Sequence, residues 1–216
     1  MTINHHPGDE TLLQLGSGTL EAGAALVVSV HVHVCDTCRQ RLAGFEALGG
    51  AMLENMPPGS LVADSFGRTL ERLNAGPTTP RTKRQPPKQP ELGLDLPRAM
   101  RYSQVGPWRW LGPGVHWSKV RIAGSPESKV ILIKGQAGVR LPAHGHNGLE
   151  FTQVLSGSLS DERGRYLPGD LDEADDEVDH QPVIGVESDC VCLAAIVGDT
   201  RLHGIWGRLL RPFVGF

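Results

Sequence analysis

The sequence lacks any long apolar run. Its longest, Ala24–Val30 and Leu193–Val197, are far too short to cross a bilayer. It also lacks a basic segment followed by an apolar one at its start, MTINHHPGDE, so nothing marks it for export and a cytoplasmic location is expected. There is no excess of positive charge. The formal net charge of −3 argues against direct DNA binding, because a phosphate backbone is met by a basic face. No internal repeat is present. The chain is long enough, at 216 residues, for one large domain or two small ones.

Glycine and proline are abundant, at 27 and 16 residues, which implies many turns, a long linker, or both. The four cysteines form two close pairs, Cys35/Cys38 and Cys190/Cys192. In a cytosolic chain such pairs point to metal or redox chemistry before disulfides. Cys190 and Cys192 share a strand face, where small buried core residues are expected rather than a bond, since same-face neighbours on one strand have poor disulfide geometry.

Residues 9 to 75 read as helices. Apolar positions at Leu12, Leu13, Leu15, Leu20, Leu26, Val27 and Val30 fit amphipathic turns, and Gly16-Ser17-Gly18 separates a first helix from a second. A third pattern runs from Arg39 to Met56 and stops at Pro57-Pro58-Gly59. Ser60 is placed to cap a fourth helix bearing Leu61, Phe66, Leu70 and Leu73. Residues 76–97, rich in proline and in Arg81, Lys83, Arg84 and Lys88, read as a flexible linker. From Arg98 the pattern changes to short strands: Val115–Ile122, Lys129–Lys134, Leu149–Leu155, His180–Val186 and Asp189–Val197. The expected architecture is therefore an α + β chain. A helical part (1–75), a linker (76–97) and an antiparallel sandwich or barrel (98–216) follow one another.

Two constellations carry chemistry. GVRLPAHGHNGLEFTQVLSG, Gly138 to Gly157, fits G-x5-H-x-H-x3-E-x6-G at every fixed position. His144 and His146, two apart on a strand, point to one face, and Glu150 adds a carboxylate, a donor set suited to a divalent transition metal. Asn147-Gly148 has the composition of a two-residue hairpin turn, which would send Glu150 to the wrong face. A longer or bulged loop pairing His146 with Glu150 is therefore expected. This stretch resembles the first motif of the cupin superfamily. Tyr166-Leu167-Pro168-Gly169-Asp170 and His180-Gln181-Pro182 resemble the second, which implies a cupin β-barrel or jelly roll with His180 as a fourth ligand.

The second constellation is H-x3-C-x2-C within HVHVCDTC. At about 100° per residue, His31, Cys35 and Cys38 can share one helix face, while His33 points elsewhere. Thiolates with imidazole select zinc, which wants four ligands, and His5 and His6 are the nearest further histidines. A helical segment of this size with these residues resembles the zinc-binding anti-sigma domain, and followed by a cupin it resembles the ChrR-type anti-sigma factors. The resemblance covers MTINHH, VHVCDTCR, the barrel motif and SDCVCLAA. It implies that His6 is the fourth zinc ligand and that the partner is an alternative sigma factor in a 1:1 complex. It also implies that the cupin, holding zinc or another divalent metal, senses an oxidative or photo-oxidative signal that controls stress-response transcription. The competing expectation is a metal-dependent cupin enzyme, dioxygenase-like, with a helical appendage. No nucleophile–base pair beside the motif supports a hydrolase.

Overall fold

The computed structural model describes residues 2–76 and 85–202. Four helices come first: α1 (Asp9–Ser17), α2 (Ala22–Val34), α3 (Asp36–Glu54) and α4 (Ser65–Ala75). Gly18 ends α1 with φ of 72°, a left-handed turn that glycine adopts without penalty. The Glu21 carboxylate caps α2 by accepting from the Gly23 and Ala24 amides. Because α2 is apolar nearly all round, it is buried, with Ala24, Val27, Val28, Val30 and His31 all inside.

Eleven strands are described: β1 (Gln104–Val105), β2 (Arg109–Gly112), β3 (Val115–Ile122), β4 (Ser125–Gly135), β5 (His144–Ser156), β6 (Leu159–Asp161), β7 (Gly164–Tyr166), β8 (Leu171–Ala174), β9 (Asp179–His180), β10 (Val183–Ile184) and β11 (Cys190–Leu202). All pair antiparallel. The larger sheet runs β1-β3-β4-β11-β5-β8, with β2 on β3 and β9 on β5; the smaller runs β10-β6-β7. The architecture is the expected one, helices followed by an antiparallel cupin-like β-structure.

Strand period places the core. On β4, β5 and β11 one set of side chains, including Val130, Leu132, Phe151, Leu193 and Ala195, packs against Leu12, Ala24, Val27 and Val28 of the helices. The alternate set faces the barrel interior, where Ile131, Ile133, Glu150, Thr152, Cys190, Cys192 and Ala194 line a cavity. Among the described residues no single helix is long and apolar enough to cross a membrane.

Several local expectations change. The fourth helix starts at Ser65, after Asp64 in a left-handed conformation (φ 56°), so Ser60 is not its cap. The stretch His180–Val186 divides into β9 and β10 at Gln181-Pro182, where proline has no amide to donate. Within the expected linker, residues 77–84 lie outside the described residues, and Arg81, Lys83 and Arg84 with them. Within residues 85–97 the leucines are anchored: Leu92 is 8% exposed, Leu94 and Leu96 lie against the core, and the Trp108 indole donates to the Leu92 carbonyl at 3.1 Å. Three leucines, with the chain turning at Gly93 (φ 72°), supply apolar side chains that the basic, proline-rich first half lacks.

Candidate metal centres

In the helical part, His6, His31, Cys35 and Cys38 converge, with one donor atom from each within 4.8 Å of the others. His31 Nε2 lies 3.3 Å from Cys38 Sγ, and His6 Nδ1 lies 3.4 and 3.3 Å from the sulfurs of Cys35 and Cys38. These separations suit ligands about 2.0–2.3 Å from one ion in a tetrahedral set, which stand roughly 3.3–3.8 Å apart. The geometry is not the single helix face expected. α2 ends at Val34, Cys35 is extended (φ −103°, ψ 107°), and Cys38 sits in the first turn of α3. The junction turns the two sulfurs toward each other, and the Cys38 amide donates to Cys35 Sγ at 3.5 Å. His33 is exposed, as its spacing implies. His5 turns away, stacked on Tyr166 at 4.4 Å between ring centroids and 3.4 Å from Asp170.

Burial, reinforced by the adjacent Cys35, pushes the Cys38 thiol up to about 11. Burial likewise lowers His31 from its ordinary value, although the Gly169 carbonyl opposes this. The Cys38 thiol and the His31 imidazole thus resist carrying charge unaided. A divalent cation would offset that cost, so the donor set fits zinc.

In the barrel, His144, His146, Glu150 and His180 form a second convergent group. β5 brings three of them together without any loop. Residues 144, 146 and 150 share parity on one continuous strand, so all point inward. Asn147-Gly148 is mid-strand, contrary to both the tight turn and the longer loop considered from sequence. The reason is tertiary. β11 pairs with β5 on both sides of this point, aligning Asn147 with Asp199 and Gly148 with Gly198. The two glycines let the backbones cross closely: Gly148 has φ of 130° and Gly198 of 100°, and a Cβ on either would fall 2.1 Å from the opposing carbonyl oxygen. β9 delivers His180 opposite His144.

The ring nitrogens are sorted by their acceptors. His144 Nδ1 donates to the Pro142 carbonyl and His180 Nδ1 to Asp161, each at 2.9 Å. Their Nε2 atoms therefore carry lone pairs, and they face each other at 3.1 Å. Glu150 Oε2 lies 3.6 Å from His144 Nε2 and 3.5 Å from His146 Nδ1. His146 is buried and neither of its ring nitrogens is hydrogen-bonded. Orphaned buried nitrogens and opposed lone pairs are what a coordinated divalent ion would satisfy. Burial would raise the Glu150 carboxyl, but the three histidines around it overturn that and hold it at about 2. Burial lowers His146; for His144 burial is also the largest single cause, but the nearby Glu150 carboxylate, the Pro142 carbonyl and Asp179 together overturn it and leave the ring raised.

An outer layer, not apparent from sequence, surrounds His180. Asp161 accepts from His180 and lies 3.1 Å from Arg163, whose guanidinium also pairs with Asp172. Because Arg163 already balances both carboxylates, this group supports His180 rather than forming a third ion site. The sulfurs of Cys190 and Cys192 are 3.6 Å apart, both free and buried, lining the same cavity.

Comparison with known proteins shows the family. A family model described as a ChrR cupin-like domain matches residues 98–197. The anti-sigma-E factor ChrR of Cereibacter sphaeroides is 36% identical over 214 residues, 99% of each chain. This chain belongs to the ChrR family of anti-sigma factors. A crystal structure of Rhodobacter sphaeroides SigE in complex with the anti-sigma ChrR superposes with a TM-score of 0.72. That match has 34% identity and covers 91% of this chain and 100% of the other. Family membership favours a regulatory, non-enzymatic role over the enzyme reading.

Proposed function

We propose that this protein is a cytoplasmic anti-sigma factor. It sequesters an alternative sigma factor of the extracytoplasmic-function type in a 1:1 complex through residues 1–75. It releases that partner when an oxidative or photo-oxidative signal reaches the barrel, residues 98–216, and so regulates stress-response transcription. The observation that carries this reading is the uncovered apolar surface of α3 and α4. Leu48, Met52, Leu53, Met56, Phe66, Leu70 and Leu73 are exposed, with Phe66 at 77% and Leu73 at 72%, and α4 buries no residue at all. Apolar faces this large mark partner surfaces, and an amphipathic helix is suited to laying one face in a partner's groove. The solved complex of the SigE–ChrR relatives supports the identity of that partner.

Zinc held by His6, His31, Cys35 and Cys38 would tie the segment before α1 to α2 and α3, where α3 and α4 contribute little core. His144, His146, Glu150 and His180 would hold zinc or another divalent metal, which when bound places a positive charge at one end of a mainly apolar cavity. Of this chain's own residues, Glu150 stays ionised to balance that charge, and Asp161 keeps the His180 Nε2 lone pair turned inward. Reversing a 99:1 complex to 1:99 requires about 5.5 kcal/mol of differential binding between the two states of the barrel.

Co-expression with the sigma factor encoded beside it should give a co-purifying 1:1 pair, and Cys35→Ser should lose one metal and the pairing. Failure to bind any sigma factor would end this reading. Exposure of the pair to peroxide or singlet oxygen should free the sigma factor, and His144→Ala should block that release. Release that is unaffected by His144→Ala would remove the sensing role of the barrel while leaving the sequestration intact.

A further inference from the structure

The turn before β8, read from sequence only as part of a barrel motif, faces the helical part. The Gly169 carbonyl accepts from His31 Nδ1 at 2.9 Å. This fixes the tautomer: Nδ1 carries the proton, and the Nε2 lone pair is left facing Cys38. Gly169 has φ of 98°, and a Cβ there would meet Ile3 at 2.9 Å, so a glycine is what lets the carbonyl approach. Next in sequence, Asp170 is 1% exposed, and its Oδ1 accepts from the amides of Asn4 and His5 at 2.7 and 3.0 Å. The Leu171 amide donates to the His5 carbonyl at 3.2 Å, and Glu173 accepts from the Gly8 amide. The segment carrying His6 is thus laid along the edge of β8.

We propose that Gly169 and Asp170 are positioning residues for the helical metal centre, so that the barrel supplies the outer layer of a site whose four ligands all lie outside it. This rests on reading His6, His31, Cys35 and Cys38 as a metal centre. Gly169 orients one histidine through its ring, and Asp170 holds the other through the backbone on which it is carried. Outer partners of this kind, when removed, typically weaken metal binding by about 10–100-fold. A charged acceptor on two part-buried amides is stronger than a neutral one, and its loss removes the partner of both donors.

The test uses the full chain with cobalt(II), whose thiolate charge-transfer absorption reports only a site with cysteine ligands, together with zinc competition by a chromophoric chelator. Asp170→Ala should weaken the thiolate site by about tenfold or more and leave the barrel site unchanged. Asp170→Asn, which keeps an oxygen for the two amides, should restore most of the loss. Should Asp170→Ala not fold, hydrogen exchange on the unaltered protein decides. Zinc should slow exchange at the Asn4, His5 and Leu171 amides, and unchanged exchange there overturns the proposal. A folded Asp170→Ala variant with the original affinity overturns it too, leaving the metal centre itself standing. A protein without any thiolate–cobalt band removes the centre and this proposal together.

Discussion

The imidazole of His180 is held through Nδ1 by the carboxylate of Asp161 at 2.9 Å, both groups being nearly buried. Asp161 is therefore to His180 what the backbone carbonyl of Pro142 is to His144: the acceptor that directs Nε2 inward. Asp161→Ala should lower the metal affinity of the barrel by about 10–100-fold and leave the thiolate site as it was. Chelator competition on the full chain measures both. Equal affinities in the variant and the original would show that β9 alone orients His180.

The apolar faces of α3 and α4 make a separable claim. Phe66 and Leu73 contact little within the chain, so Phe66→Asp and Leu73→Asp should change stability by no more than about 0.5 kcal/mol, as surface substitutions do. Co-purification of the sigma factor should nevertheless fall steeply, because a charge would be placed in the interface core. Variants that unfold would mean that this face packs within the chain, and variants that bind as before would mean that the sigma factor docks elsewhere.

How much of this was legible beforehand follows from the range of each interaction. The local part of each candidate cluster could be read directly: His144, His146 and Glu150 lie on one strand, and His31, Cys35 and Cys38 within eight residues, whereas His6 and His180 entered only through the family resemblance. Their geometry was less accessible. Asn147-Gly148 has turn composition, yet β11 pairs with β5 on both sides of it, and no local rule anticipates a partner fifty residues away. Likewise the break at Cys35 interrupts what spacing alone would make one helix. The outer groups, Asp161 for His180 and Gly169 for His31, are separated from their histidines by 19 and 138 positions and left no signal. The close Gly148–Gly198 crossing is of the same kind. Gly148→Ala would drive a Cβ to 2.1 Å from the Val197 oxygen. It should destabilise the sheet by more than the ~1 kcal/mol that an ordinary glycine substitution changes, measured by denaturant midpoint.

Acid should loosen the metal-stripped protein in two stages. His31 and His146 have folded-state values below the ordinary 6.5, chiefly through burial. A histidine depressed by folding gives its full stabilisation above 6.5 and loses it as pH falls below that value, because the unfolded chain takes the proton more readily. Glu150 follows at lower pH. Its stabilisation is complete above the ordinary 4.5 and is lost as pH falls toward about 2. His144 is raised and gains stability over the same range, so in a His144→Gln background denaturant midpoints from pH 8 to 3 should decline first just below 6.5 and again below 4.5. His146→Gln, carrying no titrating ring, should lessen the first decline; a flat profile between pH 7 and 5 would contradict the burial of neutral imidazoles.

The paired sulfurs in the barrel give the last prediction. Cys190 and Cys192 share a face of β11, and the thiol of Cys192 is pushed well above its ordinary value, first by its bond to Cys190 and then by burial. The thiolate is the reactive form, so at neutral pH Cys192 is a poor nucleophile. Burial closes it further, since both side chains are covered by Val154, Leu159 and Ile184 of the same cluster. A thiol reagent applied to the folded, metal-loaded protein should leave both cysteines unmodified, and denaturant should expose them to stoichiometric labelling. Cys192→Ser should cost about 1–3 kcal/mol by burying a hydroxyl in a mainly apolar cavity, whereas Cys192→Ala should cost less. Rapid labelling of the native protein would instead make this pair a chemically competent dithiol, and would shift attention from the metal ligands to the sulfurs as the place where an oxidant acts.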